Sequence, residues 1–234
     1  MAMRSRSQPT EIVKRCLDCC VAAVVLALLF PLVVAVAVAI KLDSRGPVFF
    51  RCRRVGYRGT PLDMLKFRKM HVDAAGGALT SPDDERFTRM GALLARTKLD
   101  ELPQLWNVLK GEMSLVGPRP EDPSFVAVRR SDFDEILTVK PGVTGLSQLA
   151  FARESEVLDE ADRYDDYVSR FLPQKIAIDR LYVRRQSLSF DLKILIWTAV
   201  AILFRREVAV HRETGRLNRR RRAVPTTQAA RSAV

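Results

Sequence analysis

Asp100 and Glu101 are adjacent carboxylates inside TKLDELPQLWNVLKGEMSLVGPRP, residues 97–120. Their setting predicts a helix start. Asp100 is a favoured N-cap residue, and Pro103 is tolerated in a first turn, where its missing donor is not required. Gly111 suits the C-terminal cap of a helix over about 101–110. Helix N-termini favour anions through free amides and the macrodipole, so both acids are expected to stay ionised with room for a phosphate nearby. An ionised aspartate can attack phosphorus. It can also hold Mg²⁺, which binds through one or two carboxylates plus substrate phosphates. The same pair equally serves plain helix capping, and two acids alone do not separate these readings.

The neighbourhood adds cations. Arg119 is fixed between Pro118 and Pro120, which lowers the entropy lost when a guanidinium clamps a phosphate. Lys66 and Arg68 flank Phe67, and Arg89 and Arg96 lie on the segment before the dyad. Two acids, several cations and rigid turns are what phosphoryl transfer from a nucleotide sugar needs: positioning and charge neutralisation. Taken singly, each arginine also reads as a solvated surface charge.

Other elements must position these groups. Residues 47–55 (PVFFRCRRV) and 61–67 (PLDMLKF), joined by Gly56-Tyr57-Arg58-Gly59, predict a β-hairpin. Residues 73–85 read as a loop and 86–96 as a short helix. MSLVGPRPEDP looks too rich in proline for regular structure, and VKPGVTG reads as a turn. Helical patterns cover 124–137 and 157–183, the latter broken at Pro173. Residues 188–204 end in eleven uncharged residues, too short to span and suited to an interfacial or buried helix with Trp197 as an interface anchor. The fold class expected is mostly helical α+β.

Residues 21–40 are twenty apolar residues with Pro31 in the middle, about the length that crosses a bilayer core. Basic residues lie on both sides: Arg4, Arg6, Lys14 and Arg15 before, Lys41, Arg45, Arg51, Arg53, Arg54 and Arg58 after. Because Lys and Arg favour the cytoplasmic side, a helix that enters, bends at Pro31 and returns satisfies both flanks. The competing readings are a single-span anchor, a signal peptide lacking a cleavage site, and a core helix lacking a polar stripe. Domains follow: 1–45, tail and membrane helix; 46–204, catalytic domain; 205–234, a flexible basic tail suited to anionic lipid.

The net charge of +12 fits nucleic acid, an anionic membrane surface or phosphorylated substrates, and no nucleic-acid motif accompanies it. Four cysteines and two histidines lack zinc-ligand spacing and suggest no disulfide framework.

In order, KRCLD, GPVFFRCRRVGYRG, MLKFRKM, TKLDELPQLWNVLKGEMSLVGPRP, VKPGVTGLSQL and DRLYVRRQSLSFDLKIL make the chain resemble the bacterial sugar transferase family, the small monotopic polyprenol-phosphate phosphoglycosyl transferases, over about residues 12–204. The resemblance implies transfer of a hexose-1-phosphate from a UDP-sugar to a polyprenol phosphate, with undecaprenyl phosphate as the family acceptor, releasing UMP. It implies a Mg²⁺-dependent enzyme with a re-entrant, proline-broken helix, on the cytoplasmic face of the bacterial inner membrane. It opens a glycan or exopolysaccharide pathway. Asp100 takes the place of the nucleophile that forms a covalent phosphosugar. Glu101 is the supporting acid that helps position the metal or the acceptor, Asp100 and Glu101 are the expected Mg²⁺ ligands, and Lys66 and Arg119 are expected near phosphates. Partners are then UDP-sugar, polyprenol phosphate and membrane lipid, not nucleic acid, with a homodimer left open. The chain departs from the family pattern at Ser147–Arg153, where Trp-Gln-Val-Ser-Gly-Arg is frequent, at Ala95, where a cation is frequent, and at Cys52, where glutamine is frequent. It also lacks the multi-span N-terminal region of longer relatives and reads as the minimal catalytic form.

Two alternatives stay open. One keeps the substrates but uses direct transfer, with Asp100 only a metal ligand. The other is a non-enzymatic, membrane-tethered scaffold that binds polyanions.

Overall fold

A computed structural model describes residues 8–77, 79–81, 84–152, 163–204 and 206–219. Arg4, Arg6, Arg153 and the basic run from 220 lie outside the described residues. The order is α1 (Gln8–Asp43), β1 (Phe49–Val55), β2 (Pro61–Phe67), α2 (Arg89–Thr97), α3 (Gln104–Lys110), β3 (Ser114–Val116), α4 (Pro123–Val128), α5 (Arg130–Phe133), β4 (Gly142–Thr144), α6 (Leu146–Ala150), α7 (Arg163–Asp166), α8 (Leu172–Arg185), α9 (Leu188–Leu203), β5 (Val208–Val210) and β6 (Leu217–Arg219). The molecule is mostly helical with small two-stranded sheets, as expected.

Helix α1 is apolar nearly all round and continuous through Pro31, so the break expected there does not divide it. Proline removes one backbone donor, but packing seats both halves. Ala22 enters the main core with Leu62, Leu105 and Val108, while Val36 and Ile40 pack with Phe67 and Leu94. Polar contacts fix the start of the helix. Arg15 donates to the carbonyls of Val108 and Leu109 at the end of α3. Lys14 Nζ lies 2.8 Å from Asp191 Oδ2 of α9, and Ser114 Oγ donates to Asp18 Oδ2 at 2.7 Å. Tyr182 OH completes this buried network by donating to Asp191 Oδ1 at 2.8 Å. The motif KRCLD is thus the clasp between the apolar helix and the domain. The opposite side of α1 exposes Val24, Leu28, Phe30, Val34, Val38 and Leu42.

Strands β1 and β2 form the expected antiparallel hairpin, pairing Phe49 with Phe67 and Val55 with Pro61. Its connection places Arg58 at φ 55° and Gly59 at φ 78°. Alternation along β2 buries Leu62 and Met64 and turns Lys66 to the same face.

Four segments differ from the sequence reading. Residues in MSLVGPRPEDP and VKPGVTG are β3 and β4, a parallel pair matching Ser114 to Gly142 and Val116 to Thr144. The glycines make it workable. A Cβ on Gly142 would stand 2.1 Å from the nitrogen of Gly117, and one on Gly145 2.1 Å from its oxygen. Pro173 does not break the helical run. A π-turn at Tyr167–Phe171 precedes it, and the proline then sits in the first turn of α8, where its missing donor is harmless. The described part of the basic tail, 206–219, is an antiparallel hairpin rather than a loose chain. Val208 is buried in the main core, and Arg212 Nη2 donates to Gln174 Oε1 of α8 at 2.7 Å. Trp197, read as an interface anchor, is partly buried against the main core, whereas Trp106 is exposed.

Candidate active site

The dyad sits between α2 and α3. Thr88 caps α2 by accepting from the amide of Gly91, and the helix ends at Lys98 in the left-handed region, φ 60°. A lysine there is a strained conformation of the kind that clusters at functional sites. It turns the chain into a 3₁₀ turn, Leu99–Glu101, that leads through Pro103 into α3. Asp100 is therefore inside the turn, not the N-cap expected for it, and Pro103 occupies the cap position of α3. Gly111, at φ 86°, ends α3 as foreseen.

Asp100 is 2% exposed. Its Oδ2 lies 3.8 Å from the ammonium of Lys69, a residue the sequence reading did not single out. Burial pulls the Lys69 pKa down, against the opposing pull of Asp100. Glu101 Oε1 is shared by Lys66 Nζ at 3.1 Å and Arg119 Nη2 at 3.0 Å. Burial works to raise the Glu101 pKa, but Lys66 and Arg119 outweigh it and hold the carboxyl well below the ordinary glutamate range. Three cations from separate elements thus converge on two carboxylates.

Each cation has its own support. Asn107 of α3 ties that helix to β2, accepting from the amide of Leu65 at 2.9 Å and donating to the carbonyl of Asp63 at 2.9 Å. That fixes the strand that carries Lys66. Arg119 leaves β3 just after Gly117, whose amide donates to Thr144 O at 3.0 Å. Beyond the Pro-Arg-Pro turn, Glu121 accepts from Tyr167 OH at 2.8 Å and pairs with Lys175 at 3.5 Å and Arg54 at 3.8 Å.

The structure does not bring every expected residue to this site. Arg68 is 5% exposed and spends its guanidinium on the end of α1, donating to the carbonyls of Ser44 (3.0 Å), Arg45 (2.9 Å) and Pro47 (2.6 Å). It braces the end of that helix. Arg89 is exposed at the start of α2, where its charge acts on Asp43. Arg96 is exposed in the last turn of α2.

The family model for bacterial sugar transferases matches residues 9–205. The chain belongs to the bacterial sugar transferase family. It is 40% identical over 195 residues to the UDP-glucose:undecaprenyl-phosphate glucose-1-phosphate transferase of Caulobacter vibrioides, covering 81% of this chain and 69% of that protein. The protein of the same name from Escherichia coli K12 is 36% identical over 194 residues, 80% of this chain and 39% of that one. The exopolysaccharide production protein PSS of Rhizobium leguminosarum is 37% identical over 206 residues, 83% of this chain and 96% of that protein. This member of the family therefore spans well under half the length of some curated relatives and nearly all of another.

The two acids differ in how they could hold a metal. Glu101 Oε1 is shared by Lys66 and Arg119, whereas among the described residues Asp100 pairs with the Lys69 ammonium at 3.8 Å. Among the described residues no group of three or more His, Cys, Asp or Glu side chains is gathered as a cage. A divalent ion held by one carboxylate and substrate phosphates, the usual manner of Mg²⁺, fits Asp100.

Proposed function

We propose that the chain transfers a hexose-1-phosphate from a UDP-sugar to a membrane polyprenol phosphate and releases UMP. The observation that carries this reading is the convergence of Lys66, Lys69 and Arg119 on Asp100 and Glu101, in a chain related to enzymes named for glucose-1-phosphate transfer to undecaprenyl phosphate. Electrostatic preorganisation of this kind is the principal contribution a protein makes to phosphoryl transfer.

The chemistry runs in two displacements. Asp100 attacks the phosphorus bonded to the sugar, and UMP leaves. The polyprenol phosphate then attacks the phospho-aspartyl sugar and returns Asp100 as a carboxylate. Lys66 and Arg119, gathered on one oxygen of Glu101, clamp the non-bridging phosphate oxygens when the donor binds. When bound, Mg²⁺ neutralises diphosphate charge beside Asp100.

One substrate is soluble and the other carries a lipid tail, so the site belongs at a membrane surface. The apolar outer side of α1, with Leu192, Ile196, Ile202 and Leu203 exposed on α9, supports that placement. Both ends of α1 pack on one domain, which favours a helix that dips into one leaflet on the cytoplasmic side over one that crosses. The similarity to an exopolysaccharide production protein supports a place at the first membrane step of a surface polysaccharide.

The test is UMP release by detergent-solubilised protein across a panel of UDP-sugars, with UDP-glucose first, with and without undecaprenyl phosphate and Mg²⁺. Mg²⁺-dependent release that Asp100→Asn abolishes is expected. No release with any UDP-sugar in the presence of acceptor would overturn the reading.

A further inference from the structure

Lys69 has no place in the mechanism so far, yet it is the cation nearest the attacking group. Its backbone is fixed from two directions. The amide of Thr88 donates to the Lys69 carbonyl at 3.0 Å. Gly91 lies against the same carbonyl, so closely that a Cβ there would stand 1.8 Å from the oxygen. The next residue, Met70, bridges to Phe87. The Lys69 ammonium sits over the Phe87 ring, 5.2 Å from its centroid, and 3.8 Å from Asp100 Oδ2. The side chain is three-quarters buried, with 24% of its area exposed. A flexible lysine is thus held by backbone contacts, an aromatic face and one carboxylate. A stem merely seeking solvent would not be arranged in this way.

We infer that Lys69 is a catalytic residue: its ammonium orients the attacking carboxylate of Asp100 and then pairs with the phosphoryl oxygens of the covalent intermediate. This rests on the covalent reading proposed above. The charge accounting shows why a cation is useful at this position. One Asp100 oxygen bonds to the phosphorus that carries the sugar. The bond from that phosphorus to the bridging oxygen breaks, and its electron pair leaves with UMP. No proton moves. The carboxylate loses its charge as the acyl phosphate forms, while one negative charge stays on the non-bridging oxygens a bond away. With the donor bound, an ammonium beside Asp100 faces two negative charges, the carboxylate and the phosphoryl group it attacks, and one after UMP departs, so it screens the repulsion between the two anions as they approach. Lys66 and Arg119 pair with Glu101 and not with the attacking carboxylate, so orienting Asp100 falls to Lys69.

A purely structural ion pair is the competing account, since loss of one partner of a buried pair is destabilising in itself. Single-turnover UMP formation from UDP-glucose, with enzyme in excess and no acceptor, separates the two. Wild type must first give a stoichiometric burst, and its absence would remove the covalent reading rather than test Lys69. Given the burst, Lys69→Met is expected to slow it about a hundredfold, the scale of losing one preorganised charge-stabilising group. The half-saturating donor concentration should stay within about threefold, because the contact is to the nucleophile and not to the resting substrate. Lys69→Arg should recover at least about tenfold of the loss, since it keeps the charge. Melting temperatures of the variants monitor folding, and Lys69→Gln takes the place of Lys69→Met in the comparison if the methionine variant folds poorly. A burst within threefold of wild type for the uncharged variant, or no gain from arginine over it, would overturn the assignment.

Discussion

Arg119 Nη2 donates to Glu101 Oε1 at 3.0 Å, and Lys66 Nζ shares that oxygen at 3.1 Å. One carboxylate thus aligns two cations from elements far apart in sequence. Glu101→Gln keeps the shape but removes the charge that holds them. A hydrogen bond to a charged group contributes about 1.5–3 kcal/mol, so kcat/KM for the UDP-sugar should fall by about ten- to a hundredfold. The concentration of Mg²⁺ giving half activity should move little, because Glu101 is not assigned to the metal. A large rise in the Mg²⁺ requirement would restore Glu101 as a ligand.

Arg68 gives a contrasting expectation. Its three carbonyl partners at the end of α1 make it a structural brace. Arg68→Ala should cost about 3 kcal/mol or more, the scale for breaking buried charged hydrogen bonds. Enzyme that remains folded should keep its KM for the UDP-sugar. A variant of unchanged melting temperature and raised KM would return Arg68 to the phosphate site.

The contrast between Arg68 and Lys69 shows where sequence reading stops. The run Lys66-Phe67-Arg68-Lys69 announces cations near a phosphate site, but not which way each points once β2 ends. Strand alternation identifies Lys66. Beyond Phe67 the chain leaves the strand, and tertiary contacts send Arg68 to α1 and Lys69 to Asp100. The β1–β2 hairpin and the Gly111 cap were legible because local turn chemistry specifies them. The β3–β4 pair was not, since each strand has three residues and its partner lies outside any local window. The dyad was recognisable as chemistry, but its 3₁₀ geometry depends on the left-handed Lys98, a position that composition gives no reason to expect.

Asp179 of α8 offers a pH signature. It is 5% exposed, and its Oδ1 has no hydrogen-bond partner. Burial raises its pKa to about 7, against the opposing influence of Ser147 and Lys175. The folded state therefore holds a proton that the unfolded chain releases near pH 4. This stabilisation is complete below pH 4 and is lost as pH rises through 7. The loss amounts to a few kcal/mol. Asp179→Asn removes that dependence. Melting curves at pH 5 and pH 8 should show the variant gaining on wild type at the higher pH, whereas an equal offset at both would show that Asp179 does not titrate in this window.

The attitude of α1 in the membrane can be read by chemical labelling. With the four native cysteines replaced by serine, single cysteines at Thr10 and Arg45 should react with an impermeant thiol reagent from the same side of sealed vesicles. Reaction from opposite sides would mean that the helix crosses.

The most direct measurement is intact-protein and peptide mass spectrometry of wild type mixed with its UDP-sugar and Mg²⁺ in the absence of polyprenol phosphate. A mass gain of one sugar phosphate, located on Asp100 and discharged when polyprenol phosphate is added, is expected. Product formation with UMP released only when acceptor is present, and no adduct on Asp100 at any time, would contradict the account.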